Sequence, residues 1–98
     1  MASRTVSNAA SELLPQNANR KSFIIQNEDA SIDVYIKLEP PSGLTVSATD
    51  HDHRLGAGDA IGLNSNSDGV REIQERITII AASGSPRVSY FETQDIRK

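Results

Sequence analysis

The chain has 98 residues, a net charge of −3 from ten basic and thirteen acidic side chains, 4% aromatic residues and no cysteine. A chain of that length suits one domain, which buries about two-thirds of the surface its unfolded form exposes, and the missing cysteines exclude a disulfide staple and thiolate-bound zinc and fit folding in a reducing cytoplasm. The charges are spread without blocks and no apolar run is long enough to cross a bilayer or to act as an export signal, so neither nucleic acid nor a membrane is expected as a partner.

Residues 1–20 form a polar N-terminal segment in which 5–14 reads as an edge strand or arm that Pro15 stops, since proline donates no ladder hydrogen bond. Asparagines make 16–19 a loop. The run Ser22-Phe23-Ile24-Ile25-Gln26 is short, β-branched and aromatic. The stretch 32–38 alternates without a miss, placing Ile32, Val34, Ile36 and Leu38 on one face and Asp33, Tyr35 and Lys37 on the other. Between them lies Asn27-Glu28-Asp29-Ala30-Ser31, whose side chains turn the chain by bonding the backbone, and the spacing predicts a hairpin over 22–38.

Two prolines and Gly43 break the sheet after Leu38. A strand is predicted over 44–48 with Leu44, Val46 and Ala48 inward, then a polar loop over 49–54, a glycine turn at 56–59 and a short strand over 60–63. The segment 64–69 is the most loop-like of all, and 70–75 is read as a strand although Val70, Ile73 and Ile77 also fit a helical spacing. Ile77, Ile79 and Ala81 then point inward, Ser83-Gly84-Ser85-Pro86 turns the chain, and a second hairpin is predicted over 77–92. Strands of this length separated by turn signals predict an all-β fold, a small antiparallel β-sandwich or barrel with at most one short helix, over a single domain 1–98. Its 21 Ile, Leu and Val, two Phe and two Tyr make a modest core at roughly 25 cal/mol per Å², so association is expected to add stability.

Asp50-His51-Asp52-His53 is the one cluster that resembles a site. If extended, it sets His51 and His53 on one face, where both could reach one metal ion, but a structural zinc takes four protein ligands and a catalytic zinc three, and spacing supplies no third. A solvated loop with no metal is expected. There is no nucleophile elbow, the turn Leu55-Gly56-Ala57-Gly58-Asp59 is not followed by Gly-Lys-Ser/Thr, and few aromatics exist to stack a sugar beside Glu72 and Glu75. No catalytic residue and no cofactor are assigned. The outward apolar residues Ile24, Ile80 and Phe91 say more: either both faces of their strands are covered, or they meet a partner.

Thr5-Val6-Ser7 through Leu13-Leu14, the run from Asn17 to Asn27 leading into Ile32-Asp33-Val34-Tyr35-Ile36, the Leu55 to Asp59 turn before a strand, and the run from Ile77 to Val88 ending at Glu92 span most of the chain. In that order they resemble small β-sandwich virion proteins of tailed bacteriophages, the head decoration or cement proteins and related accessory structural proteins. The polar 49–54 loop and the charged 70–75 segment depart from that pattern. The resemblance implies a non-enzymatic subunit made in the host bacterial cytoplasm that binds the outside of a capsid and stabilises it. Its partner would be the major capsid protein or another virion structural protein, and a homo-oligomer is expected. Candidate interface residues are Ile24, Ile80, Phe91, His51 and His53. The alternative is a carbohydrate- or receptor-binding module at a fibre, neck or tail, using the 50–53 loop.

Overall fold

The computed structural model describes residues 2–17, 20–39, 43–64 and 75–94. Its eight strands are β1 (Ala2–Thr5), β2 (Ser11–Leu14), β3 (Arg20–Asn27), β4 (Val34–Glu39), β5 (His53–Leu55), β6 (Ala60–Asn64), β7 (Arg76–Ala81) and β8 (Arg87–Gln94). They form two four-stranded antiparallel sheets, ordered β1-β8-β3-β6 and β2-β7-β4-β5. These pack on each other as the antiparallel sandwich expected from the alternating runs, with no helix among the described residues.

The pairings reveal how the chain is wound. β1 pairs with β8, β2 with β7, β3 with β6 and β4 with β5. The molecule is therefore one long antiparallel ribbon bent back at the β4–β5 connection, then rolled until β3 also meets β8 and β4 also meets β7. This is jelly-roll connectivity. Every connection except β4 to β5 crosses from one sheet to the other.

The hairpins expected at 22–38 and 77–92 are accordingly not hairpins. β3 and β4 lie in different sheets, as do β7 and β8, so 28–33 and 82–86 are arches between layers. Local turn chemistry shows where the chain reverses but not whether it returns within its sheet or to the facing one. Neither connector holds the two-residue Asn-Gly or Asp-Gly turn that commits strands to pair, and each is long enough to cross the roughly 10 Å between packed sheets. The arches interlock at one end of the sandwich. There Val6 N donates to Pro86 O at 2.8 Å, Asn27 N to Asp59 O at 2.9 Å, Glu28 N to Arg87 O at 2.9 Å and Ala82 N to Asp33 O at 2.9 Å.

Two other expectations change. The single edge segment over 5–14 is divided into β1 and β2, which edge opposite sheets, with Val6 buried where the chain crosses. The strand over 44–48 does not form. Only an isolated bridge joins Ser47 and Asp50, and of the three residues expected inward Val46 alone is buried. Residues 65–74, which include most of the predicted loop and strand over 64–75, lie outside the described residues.

Between the sheets Phe23, Ile25 and Val88 meet Val34, Ile36, Ile77 and Ile79, all fully buried, each worth about 1.5–3 kcal/mol relative to exposure. Two buried polar side chains tie connections to this core. Arg20 donates from Nε to Glu92 Oε1 at 2.7 Å, from Nη1 to the Glu75 carbonyl at 2.8 Å and from Nη2 to the Pro15 carbonyl at 2.7 Å. Asn27 Nδ2 donates to the carbonyls of Ile32, Leu55 and Gly56 at 2.7, 3.1 and 3.1 Å, while its Oδ1 accepts from Asp29 N at 3.0 Å.

Candidate docking face

The two outer faces of the sandwich differ. Outside β2-β7-β4-β5, the 43–52 connection folds down as a strap. Lys37 Nζ donates to Thr45 Oγ1 at 2.7 Å and to Asp50 Oδ2 at 2.8 Å, Leu38 N donates to Asp52 Oδ2 at 2.8 Å, and Arg76 donates to the Gly43 carbonyl. Beneath it Glu39 accepts from Thr78 Oγ1 at 2.5 Å and Thr45 Oγ1 at 2.7 Å. Burial pushes the Glu39 carboxyl up, but the hydrogen bonds from Thr78 and Thr45 outweigh it and hold the group below its usual range. The hydrogen bond to Asp50 holds the Lys37 ammonium above its usual value. Thr78 and Val46 are buried here although neither belongs to the central core.

The outer face of β1-β8-β3-β6 has no such cover among the described residues. Strand alternation places Ser3 and Thr5 of β1, Arg87, Ser89, Phe91 and Thr93 of β8, Ser22, Ile24 and Gln26 of β3, and Ala60 and Gly62 of β6 on it. At its centre Ile24 lies in register between Phe91 and Gly62. The lack of a Cβ at Gly62 leaves room for Ile24, whose Cγ1 would sit 3.4 Å from one. Ile24 is 46% exposed and Phe91 47%. Ser22 and Thr93 share a hydrogen bond at 2.5 Å beside them. Within these strands Glu92 turns inward to Arg20, while the exposed Glu28, the residue after β3, lies opposite Arg87 with its N–H on the Arg87 carbonyl at 2.9 Å.

Of the expected interface residues, the structure brings Ile24 and Phe91 together and separates the rest. Ile80 does point outward, but from β7, beside Tyr35 in register, so it lies on the opposite face of the molecule. His51 leans on Tyr35 with ring centroids 4.7 Å apart and its Nδ1 lies 3.1 Å from the Ser47 carbonyl. His53 instead opens β5 opposite Ile36, on the core side of that sheet. The chain bends at Asp52, between the two histidines, so the two imidazoles sit on different sides of the sheet and do not face one ion. Among the described residues no group of three or more His, Cys, Asp or Glu could hold a metal.

Arg87 and Lys21 were not singled out from sequence. Arg87 shares the Phe91 face by simple alternation, which is the signal that finds it. Lys21 is exposed because the strand is irregular between Arg20 and Ser22, which alternation does not foresee. Leu44, 47% exposed on the strap, is a further outward apolar residue away from this face. When the chain was compared with protein-family models, with curated proteins and with solved structures, nothing matched it.

Proposed function

We propose that this chain is a non-enzymatic structural subunit of a tailed-phage virion, a decoration or cement protein that docks on the outside of the capsid and stabilises the shell. The supporting observation is the Ile24–Phe91 pair, two half-exposed apolar side chains side by side at the centre of an outer sheet face, where their in-register neighbours Ser22, Gln26, Ser89 and Thr93 are uncharged. Covering what remains exposed would contribute on the order of 1 kcal/mol from each. Depletion of charge around apolar anchors is the composition of an interface centre. Repetition over a symmetric shell multiplies a modest contact into high occupancy. The jelly roll recurs in viral capsid and lectin domains, which agrees with this reading by analogy of fold only. The partner is the major capsid protein or another virion structural protein.

The test is to incubate purified protein with tailed-phage shells prepared without accessory proteins, then to measure bound copies and the temperature at which the shells lose integrity. Saturable binding with a raised disruption temperature is expected. Absence of binding to any shell, together with a specific signal on a glycan array, would replace this function with the receptor-module alternative.

A further inference from the structure

We infer that the free edge of β6 is a self-association site, on which β6 of a second copy of this chain adds antiparallel about Gly62 and joins two β1-β8-β3-β6 sheets into one of eight strands. The contact lies along the edge of that sheet and is independent of what its outer face docks on.

An edge strand exposes a row of unpaired backbone N–H and C=O groups, and is ordinarily protected by charge, proline, a bulge or shortness. Three of the four edges here are protected in those ways. In β1, Arg4 lies opposite Val88 on the core side, and its guanidinium crosses to β2, donating to the Glu12 carbonyl at 2.8 Å and the Ser11 hydroxyl at 3.3 Å. β2 is irregular between Glu12 and Leu14 and is followed by Pro15. β5 is three residues long, and its exposed Arg54 pairs with Asp33 at 3.5 Å. β6 has none of these devices. Ala60-Ile61-Gly62-Leu63-Asn64 contains no charge and no proline, and all five residues keep unbroken register with β3, from Gln26 to Ser22. Among the described residues no strand pairs with its other side.

What completes the edge follows from the residue order of β6. Ile61 lies opposite Ile25 and packs against the core, yet stays partly exposed where the sheet ends. Leu63 holds the matching register position opposite Phe23. The strand is therefore symmetric in character about Gly62, with apolar residues one step away and uncharged ones two steps away. Antiparallel addition of the same strand, Gly62 opposite Gly62, sets Ile61 opposite Leu63 of the second copy and Ala60 opposite its Asn64, so apolar positions meet apolar positions and no charge is buried. Such a pair has a twofold axis perpendicular to the sheet, an isologous contact that closes at two copies. A glycine inside a strand often marks close approach of another backbone. A strand of five residues makes a small contact, below the roughly 800 Å² per partner of a standard interface, so the dimer is expected to be weak. The axis keeps both outer faces on one side of the joined sheet. There the row Phe91–Ile24–Gly62 of one copy continues as Gly62–Ile24–Phe91 of the other, which doubles the apolar pair on one surface.

The full chain is weighed by sedimentation equilibrium from about 10 μM to about 1 mM, as native, Gly62→Lys, Gly62→Glu, Ala60→Lys and Phe91→Ser, with thermal midpoints confirming that each variant is folded. A native dimer is expected within that range. Gly62→Lys and Gly62→Glu each set like charge against like charge at the axis and should weaken the dimer by about five-fold or more. An equimolar mixture of the two should restore association to the native level or above, because opposite charges then face each other across the axis. Ala60→Lys, at an exposed site, should also weaken the dimer and is the deciding variant where those at Gly62 fail to fold. Phe91→Ser should associate as native. A native protein monomeric throughout the range would overturn the inference. So would a dimer unaffected by Gly62→Lys and Ala60→Lys, or one lost only in Phe91→Ser, which would move the contact from the edge to the sheet face.

Discussion

Arg20 is wholly buried and spends its guanidinium on Glu92 and two backbone carbonyls from different connections. Replacing it with methionine keeps bulk but leaves those acceptors without their donor, and is expected to cost about 3 kcal/mol, read as a shift in urea midpoint at constant slope. Asn27→Ala strips donors from three carbonyls at the arch end and is expected to cost about 2–3 kcal/mol in the same measurement. Glu39 makes stability depend on acid. Its folded carboxyl is held below 4.5, so the unfolded chain takes up a proton first; the stabilisation is present above that value and is lost as pH falls through the lower folded one. Asp29, lowered by the backbone N–H groups of Ser31 and Ile32, adds to the same trend. The thermal midpoint should therefore fall between about pH 5 and about pH 3, and Glu39→Gln should flatten part of that fall. None of these three roles was legible in the sequence, because a buried Arg, Asn or Glu looks like any surface polar residue until the fold supplies its partners.

At the scale of elements, the strands were legible and their partners were not. Alternation located β3, β4, β6, β7 and β8 to within a few residues and oriented Ile77, Ile79, Val88 and Phe91 correctly, because the period of two records which side meets the core. The same pattern is indifferent to whether Asn27 and Ser83 turn the chain within a sheet or across to the next, so it predicts hairpins where the chain forms arches. The strand expected over 44–48 failed for a related reason: Val46 is buried, but against the outside of a sheet by a strap held through side chains, and no ladder is needed. The arches can be probed at their glycines. Gly84 has φ +61° and a Cβ there would lie 2.9 Å from Ile32 Cδ1, whereas Gly58 has φ +76° and open space. Gly58→Ala is expected to cost about 1 kcal/mol for the left-handed backbone alone. Gly84→Ala should cost measurably more by thermal unfolding, since it must also displace Ile32.

At the scale of the whole molecule, rolling the ribbon gives the sandwich two unlike exteriors. One is closed by the strap, whose Asp50 and Asp52 accept from Lys37 and Leu38 N. The other is a sheet face of small polar residues around Ile24 and Phe91. Sequence supplied Ile24 and Phe91 as outward residues. It could not supply their adjacency, because that depends on β3 pairing with β8 across most of the chain length, nor the separation of Ile80, because that depends on β7 joining the other sheet. The proposed docking is tested most directly by an electron cryomicroscopy reconstruction of shells saturated with the protein. The β1-β8-β3-β6 face should lie against the shell, with Ile24 and Phe91 inside the contact and the strap turned to solvent; a reconstruction with the strap against the shell and Phe91 facing solvent would contradict it.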